Sequence, residues 1–224
     1  MSAFGDVLRG LDFSVISDTL LRVIPALICI TLHELSHGLV ALWLGDTTAK
    51  DAGRLTLNPI KHIDIWGLLM MVICKFGWAK PVPVNMYRFE NPKRGMAITA
   101  LAGPVSNILI SVIALALYGL LFPVLCESAV GIYLLQGIEI TAYLSCALAV
   151  FNIIPVPPLD GSKVLFSLVN QKQYNWLMRY ERYGFIVLIV LVYFGILSGP
   201  LANVTGWVYD KLFNVAEFTF RMVS

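Results

Sequence analysis

Charged residues are scarce in this 224-residue chain. Only 13% of the residues are Asp, Glu, Lys or Arg, whereas 58% are hydrophobic and the mean hydropathy is +0.78. So few charges cannot cover the surface of a soluble domain of this length, which excludes an ordinary water-soluble protein. The net charge of +2 is too small to indicate a nucleic-acid partner. We therefore expect an integral membrane protein whose surroundings are the lipid bilayer.

Cysteine is sparse as well, and its spacing excludes the common cysteine-based metal sites. The four cysteines form no CxxC pair, and three of them fall in apolar runs. We interpret them as small buried hydrophobic residues rather than as disulfide partners or zinc ligands.

Long hydrophobic runs dominate the chain. The runs 20–44, 96–126, 128–159 and 183–208 each exceed the roughly 20 residues that cross a hydrocarbon core of about 30 Å. A shorter run, 65–74, is cut off by a lysine and two prolines, so we predict a re-entrant or interfacial extended segment there.

The resulting fold prediction is an all-α polytopic membrane protein with about four transmembrane helices. We expect one domain over residues 1–224, with a core at 20–170 and a C-terminal span and tail at 171–224. The end of the tail, after residue 208, has an amphipathic pattern that favours a helix on the outer membrane surface.

Basic residues are concentrated in the segments that follow the first and third runs. The first segment carries Lys50, Arg54, Lys61, Lys75, Lys80, Arg88, Lys93 and Arg94, and the second carries Lys163, Lys172, Arg179 and Arg182. The turn at 122–131 has none. The positive-inside rule therefore places both basic segments in the cytoplasm and the turn outside.

The sequence HELSH at 33–37 lies inside the first apolar run. On a helix, His33 and His37 project from one face one turn apart and can bind a single metal ion. Glu34 is placed to take a proton from a metal-bound water. Ionisable side chains at membrane depth are rare and mark functional sites, so the pattern predicts a metal centre.

A catalytic zinc site usually has a third protein ligand. The candidates are Asp46, Asp51, His62, Asp64, Glu90, Glu127, Glu139 and Asp160. His37 lies about 11 Å from the inner end of its run at 1.5 Å per residue, so we expect the metal near the inner side of the bilayer. Glu127 and Glu139 lie toward the outer side and are too far from it. Asp160 follows a stretch broken by prolines and arrives at about the right depth.

Four motifs together resemble the site-2 protease family of intramembrane zinc metalloproteases. They are HELSHG at 33–38, GRLTLNP at 53–59, AGPVSN at 102–107 and FNIIPVPPLDGSKV at 151–164. The resemblance extends over residues 20–170. The sequence departs from the larger members of this family in that no PDZ-like or CBS-like domain is expected in it.

The resemblance implies a role for five residues. His33, His37 and Asp160 would bind one Zn²⁺, and Glu34 would activate water. Asn152 would position substrate or stabilise the oxyanion by donating a hydrogen bond.

Three further residues are weaker candidates for substrate positioning. Asn107 in the AGPVSN motif has either such a role or a hydrogen bond between helices. Val82 and Val84 lie in a Pro-Val-Pro-Val segment that prolines hold extended, so an unwound substrate would add to it as a strand. The alternative is a surface hairpin that merely packs.

The predicted function is hydrolysis of peptide bonds within or near transmembrane helices of membrane-protein substrates. The compact length and the lack of a transit peptide favour a prokaryotic plasma membrane, with the active site toward the cytoplasm. The alternative is a metal-handling membrane protein or an inactive scaffold stabilised by zinc. A transporter would show repeated halves and charges along a path across the bilayer, and neither pattern is visible.

Overall fold

A computed structural model describes residues 13–67 and 79–223 of the chain. Its helices, in chain order, are α1 (Phe13–Trp43), α2 (Thr48–Asp51), α3 (Pro92–Leu125), α4 (Ala129–Asn152), α5 (Asp160–Leu168), α6 (Gln171–Tyr193) and α7 (Ser198–Arg221). Two short 3-10 helices, Pro59–His62 and Met86–Arg88, lie between α2 and α3. The predicted re-entrant run 65–74 lies outside the described residues from position 68 onward.

Within the described ranges, three helices are long and apolar enough to cross a membrane. They are Thr19–Trp43 within α1, all of α3 and all of α4. The pair Tyr183–Tyr193 and Ser198–Arg221 passes the same test together, although the two helices meet at an 87° bend. The prediction of an all-α polytopic membrane protein with about four spans is therefore confirmed.

The fourth apolar run, 183–208, is broken between α6 and α7. Gly195 has φ +68°, and the amides of Gly195 and Ile196 donate to the carbonyls of Val192 and Leu191. These two bonds form a Schellman motif, which ends a helix with a residue in the left-handed region. A span with some tilt or a break was expected here, but hydropathy does not report at which residue the backbone turns.

The expectation of a surface tail after residue 208 was also wrong. These residues form the second half of α7, which packs against α3 and α4. Ala216 is buried in a cluster with Ala114, Leu115 and Ala142. A Cβ atom at Gly119 would collide with the carbonyl of Ala216, so a small residue there allows the two backbones to approach closely.

The end of α4 and the start of α5 bring Asp160 into the helix bundle. The predicted third span ran to residue 159, but α4 ends at Asn152 because the proline-rich stretch that follows cannot continue a helix. The chain then folds back on itself. A Cβ atom at Gly161 would collide with the carbonyl of Ile153, so this glycine allows α5 to begin directly beneath the end of α4.

Candidate metal centre

Three predicted ligands, distant in sequence, meet inside the bundle. The Nε2 atoms of His33 and His37 are 3.0 Å apart, and Oδ2 of Asp160 lies 3.2 and 3.1 Å from them. All three residues are buried. Zinc bonds of about 2.0–2.1 Å in a tetrahedron place neighbouring donors about 3.3 Å apart. These separations therefore fit one zinc ion.

The hydrogen bond that Nδ1 makes in each ring determines the tautomer, and with it whether Nε2 is available to bind a metal. Nδ1 of His37 lies 2.7 Å from the carbonyl oxygen of Thr99. A carbonyl can only accept, so Nδ1 carries the proton and Nε2 presents a lone pair.

His33 meets a side-chain amide in the same way. Its Nδ1 lies 3.1 Å from the side-chain nitrogen, Nδ2, of Asn107, which is fully buried. The nitrogen and oxygen of such an amide are interchanged by a half-turn. We assign the oxygen to the position facing Nδ1, because this orientation gives His33 the same tautomer as His37.

The charges around Asp160 also fit a cation. Its Oδ1 lies 3.7 Å from Nζ of Lys163, whereas its buried Oδ2 has no hydrogen-bond donor among the described residues. With both histidines protonated on Nδ1, three lone pairs point at one another, and a cation between them removes the repulsion. The donor set of two imidazoles and a carboxylate is one that zinc accepts.

A glycine in α3 allows this packing. A Cβ atom at Gly103 would lie 2.5 Å from Cε1 of His33, and 2.5 Å from both Cε1 and Nε2 of His37. Real Cβ atoms essentially never come that close to other heavy atoms. The glycine of the AGPVSN motif thus lets α3 touch the faces of both rings.

Glu34 lies beside the three ligands but does not belong to them. Its Oε2 accepts a hydrogen bond of 2.8 Å from the backbone amide of Val82. Glu34, Val82 and Val84 line a cavity of about 610 Å³ that also exposes the metal ligands. The structure therefore brings the Pro-Val-Pro-Val segment to the predicted general base.

The two asparagines occupy different places. Asn152 lines the cavity, but its Nδ2 donates 3.0 Å to the carbonyl of Leu148 within its own helix. Asn107 does not line the cavity; it lies behind His33. Its position matches the hydrogen bond between helices rather than a contact with substrate.

Several residues of the site were not found from the sequence. The Thr99 carbonyl is a backbone group, so no side-chain pattern identifies it. Lys163 and Glu181 also line the cavity; the position of Lys163 three residues after Asp160 was an available signal. In the part of the chain that the structure describes, no other candidate ligand joins the two histidines, and His62 instead lies 3.0 Å from the Thr56 carbonyl.

Comparison with known proteins is consistent with this geometry. A profile described as "Peptidase family M50" matches residues 127–195, which include Asn152 and Asp160. "Putative zinc metalloprotease YwhC" of Bacillus subtilis is 41% identical over 171 residues, covering 75% of this chain and 78% of the relative.

Two more distant relatives carry a similar description. "Putative zinc metalloprotease Rip2" of Mycolicibacterium smegmatis is 27% identical over 92% of this chain and 78% of the relative. The protein of the same name from Mycobacterium tuberculosis is 28% identical over 82% of this chain and 71% of the relative. No solved structure matches the chain with statistical significance.

Proposed function

The chain belongs to peptidase family M50, and from that premise we propose that it is an intramembrane zinc metalloprotease of the site-2 type. It hydrolyses peptide bonds within or near transmembrane segments of membrane-protein substrates, with one Zn²⁺ per chain. The observation that carries the proposal is the buried convergence of His33, His37 and Asp160 beside Glu34. His33, Glu34 and His37 lie in α1, which is apolar enough to span a bilayer.

The ligands and the glutamate divide the chemistry between them. Zinc in such a site polarises a carbonyl and makes a water molecule more acidic. The Glu34 carboxylate takes the proton from the attacking water. Because Oε2 already accepts from the Val82 amide, we assign this proton transfer to Oε1. The negative charge that develops on the scissile carbonyl requires hydrogen-bond donors.

Asn152 is the proposed donor to that oxyanion. Its amide lines the cavity but is bonded to the Leu148 carbonyl, so it must turn away from α4 when substrate binds. Exchange of one hydrogen bond for another to a developing charge is favourable, because charge-assisted hydrogen bonds are stronger.

The depth of the site supports cleavage on the cytoplasmic side of a prokaryotic plasma membrane. α1 ends at Trp43, six residues after His37, which is about 9 Å along a helix. The basic segments adjoin this end of the bundle, and the positive-inside rule assigns them to the cytoplasm. The substrate bond would therefore be cut in the inner leaflet.

A substrate helix must unwind locally before its backbone reaches Glu34, because helical carbonyls are bonded and shielded by their own turn. The extended segment that carries Val82 and Val84 supports strand addition as the way to hold the unwound stretch. Since the Val82 amide is bonded to Glu34, the substrate would pair with other backbone groups of this segment.

Metal content and cleavage together test the proposal. Wild type, His37→Ala, Asp160→Ala and Glu34→Gln are purified in detergent, and zinc is measured by mass spectrometry. They are then tested in proteoliposomes against a labelled single-span substrate. We expect about one zinc per chain in wild type and in Glu34→Gln, and markedly less in the other two. Only wild type should cleave.

Exposed carboxylates provide matched controls. Asp51→Ala and Glu90→Gln change acidic residues on the loop side of the bundle, and both should keep zinc and cleavage. Wild type without zinc after supplementation would refute the metal centre. Zinc bound by the predicted ligands with no cleavage of any membrane substrate would favour the inactive scaffold instead.

A further inference from the structure

The backbone segment 79–85, here named the strap, crosses above Glu34 and is held by a buried arginine. We propose that Arg54 is a positioning residue of the protease. It clamps the strap so that the Val82 amide keeps the Glu34 carboxylate aimed at the attacking water. This inference rests on the proposed function and adds a residue that lies outside the metal centre.

Hydrogen bonds fasten the strap at several points. Nη2 of Arg54 donates 2.7 Å to the carbonyl of Lys80, and the amide of Lys80 donates 2.9 Å to the carbonyl of His62. At the other end, the amide of Asn85 donates 2.6 Å to Asp46. The contact between Val82 and Glu34 therefore lies between two anchored ends.

The prolines make Val82 the single donor in the middle of the strap. Pro81 and Pro83 have no backbone N–H, so in the tripeptide 81–83 only Val82 can donate to the carboxylate. A shift of the strap by one residue would bring a proline to Glu34 and remove this bond. The register of the strap therefore decides whether Oε2 is held.

Arg54 is suited to fixing that register. It is only 8% exposed, and burial of a guanidinium is costly unless it is hydrogen-bonded. Its bond to the Lys80 carbonyl is charge-assisted, and such bonds are stronger and shorter than neutral ones. Gly38, one residue after His37, leaves room for this packing: a Cβ atom there would lie 2.5 Å from Leu55 and 3.1 Å from Val82.

The clamped strap restricts the orientation of the Glu34 carboxylate. With Oε2 fixed by the Val82 amide, rotation of the carboxylate is restricted and Oε1 remains aimed at the water. If the strap drifts, the carboxylate samples other orientations while the metal ligands stay in place. Loss of the clamp should therefore lower the rate of chemistry and leave the zinc content unchanged.

Hydrogen exchange of the strap tests the contact without any substrate. The zinc-loaded proteins compared are wild type, Arg54→Met, and Arg94→Met as a matched control at an exposed arginine. Because two strap residues are prolines, overlapping peptides can resolve exchange at Val82 by mass spectrometry. We expect at least about tenfold faster exchange at Val82 in Arg54→Met, since local opening governs exchange, and no change in Arg94→Met.

Steady-state kinetics distinguish a positioning role of Arg54 from a general loss of structure. For Arg54→Met we expect kcat to fall about ten- to a hundredfold, as misplaced catalytic groups do, with zinc content unchanged; any accompanying rise in KM reports the pairing of the strap with substrate. Arg54→Lys retains the charge and one donor, and it should recover part of the rate. If the methionine variant does not fold, Arg54→Gln, which is too short to reach the Lys80 carbonyl, is judged by the same criteria.

The outcomes are distinguishable from failure of the proposed function. Folded, zinc-loaded Arg54→Met with wild-type exchange at Val82 and wild-type kcat would overturn the inference. A rise in KM with wild-type kcat would also overturn it, because Arg54 would then support substrate binding to the strap rather than the orientation of Glu34. Absence of cleavage by wild type would refute the proposed function, and the exchange measurement would still decide whether Arg54 holds the strap.

Discussion

The amide of Asn107 lies 3.1 Å from Nδ1 of His33, while Nε2 of the same ring lies 3.2 Å from Asp160. A residue of α3 thus sets the tautomer of a metal ligand on α1. The Thr99 carbonyl, two turns earlier on α3, does the same for His37. Both ligand rings are therefore oriented by one neighbouring helix, in the way that outer-shell partners commonly orient metal-bound histidines.

Replacement of Asn107 should weaken zinc binding. Asn107→Leu removes the acceptor for Nδ1–H of His33, and loss of such partners typically lowers metal affinity about 10–100-fold. Asn107→Asp retains an acceptor and should bind zinc nearly as tightly as wild type. Competition with a chelator in detergent measures both, with Ser106→Ala as the neighbouring control. Equal losses in the leucine and aspartate variants would contradict the assigned tautomer.

Gly103→Ala should disrupt the metal centre. The added methyl would lie 2.5 Å from atoms of His33 and His37, so α3 must move away or the rings must turn. We expect a clear loss of bound zinc and of cleavage, measured as metal content and proteolysis. Gly206→Ala is the control, because a Cβ atom there meets nothing within 4 Å. Normal zinc content in Gly103→Ala would show that the helices are not in such close contact.

Val84→Pro tests strand addition separately from the orientation of Glu34. It removes the backbone N–H of Val84, a residue that lines the cavity, but leaves the Val82 amide in place. If substrate adds to the strap, KM should rise several-fold with zinc content unchanged, whereas Val82→Pro should lower kcat as well. Kinetics with a single-span substrate and a metal assay distinguish the two. Unchanged KM in Val84→Pro would refute strand addition at this residue.

Asp46→Asn should destabilise the far end of the strap in a pH-dependent way. Burial by itself would raise the pKa of Asp46, but hydrogen bonds from Thr48 and from the Asn85 amide outweigh burial and hold the pKa below its ordinary value. A depressed pKa stabilises the fold above the unfolded-state pKa, and this contribution is lost as the pH falls through the folded value.

The measurement for Asp46 is thermal unfolding in detergent at two pH values. At neutral pH the asparagine variant places an amide donor against either the Asn85 N–H or the Thr48 N–H and should lose about 1–3 kcal/mol, the cost of an unsatisfied buried group. Below the ordinary aspartate pKa of about 3.9, the two proteins should become more similar. A difference that is constant with pH would contradict the ionised state of Asp46.

Local features of the sequence predicted much of the fold and of the candidate site. The apolar runs predicted the helices α1, α3 and α4 because hydropathy over about 20 residues is enough to identify a span. The spacing of His33 and His37 predicted a shared face because four residues nearly complete one helical turn. Depth along the helices, combined with the resemblance to a known family, singled out Asp160.

The same local features failed where a backbone detail or a long-range contact decides. The break at Gly195 has no hydropathy signal, and the length of α7 became evident only from its packing against Gly119. Val82 was predicted as a partner for substrate. That contact stays a prediction; in the structure the Val82 amide donates to Glu34, 48 residues earlier in the chain, and the sequence did not predict this hydrogen bond.

The sequence by itself determined that the protein lies in a membrane, that its fold is all-α and that His33 and His37 form a candidate metal-binding pair. Each of these depends on composition or on spacing within one helix. Tertiary structure alone decided how Asn107 and Thr99 orient the ligands and how Arg54 reaches Lys80. These contacts join residues of different segments, and several use backbone carbonyls that every residue type possesses. Side-chain identity cannot specify a backbone carbonyl as a partner. The packing of helices around Gly103 and the path of the strap bring these carbonyls into place.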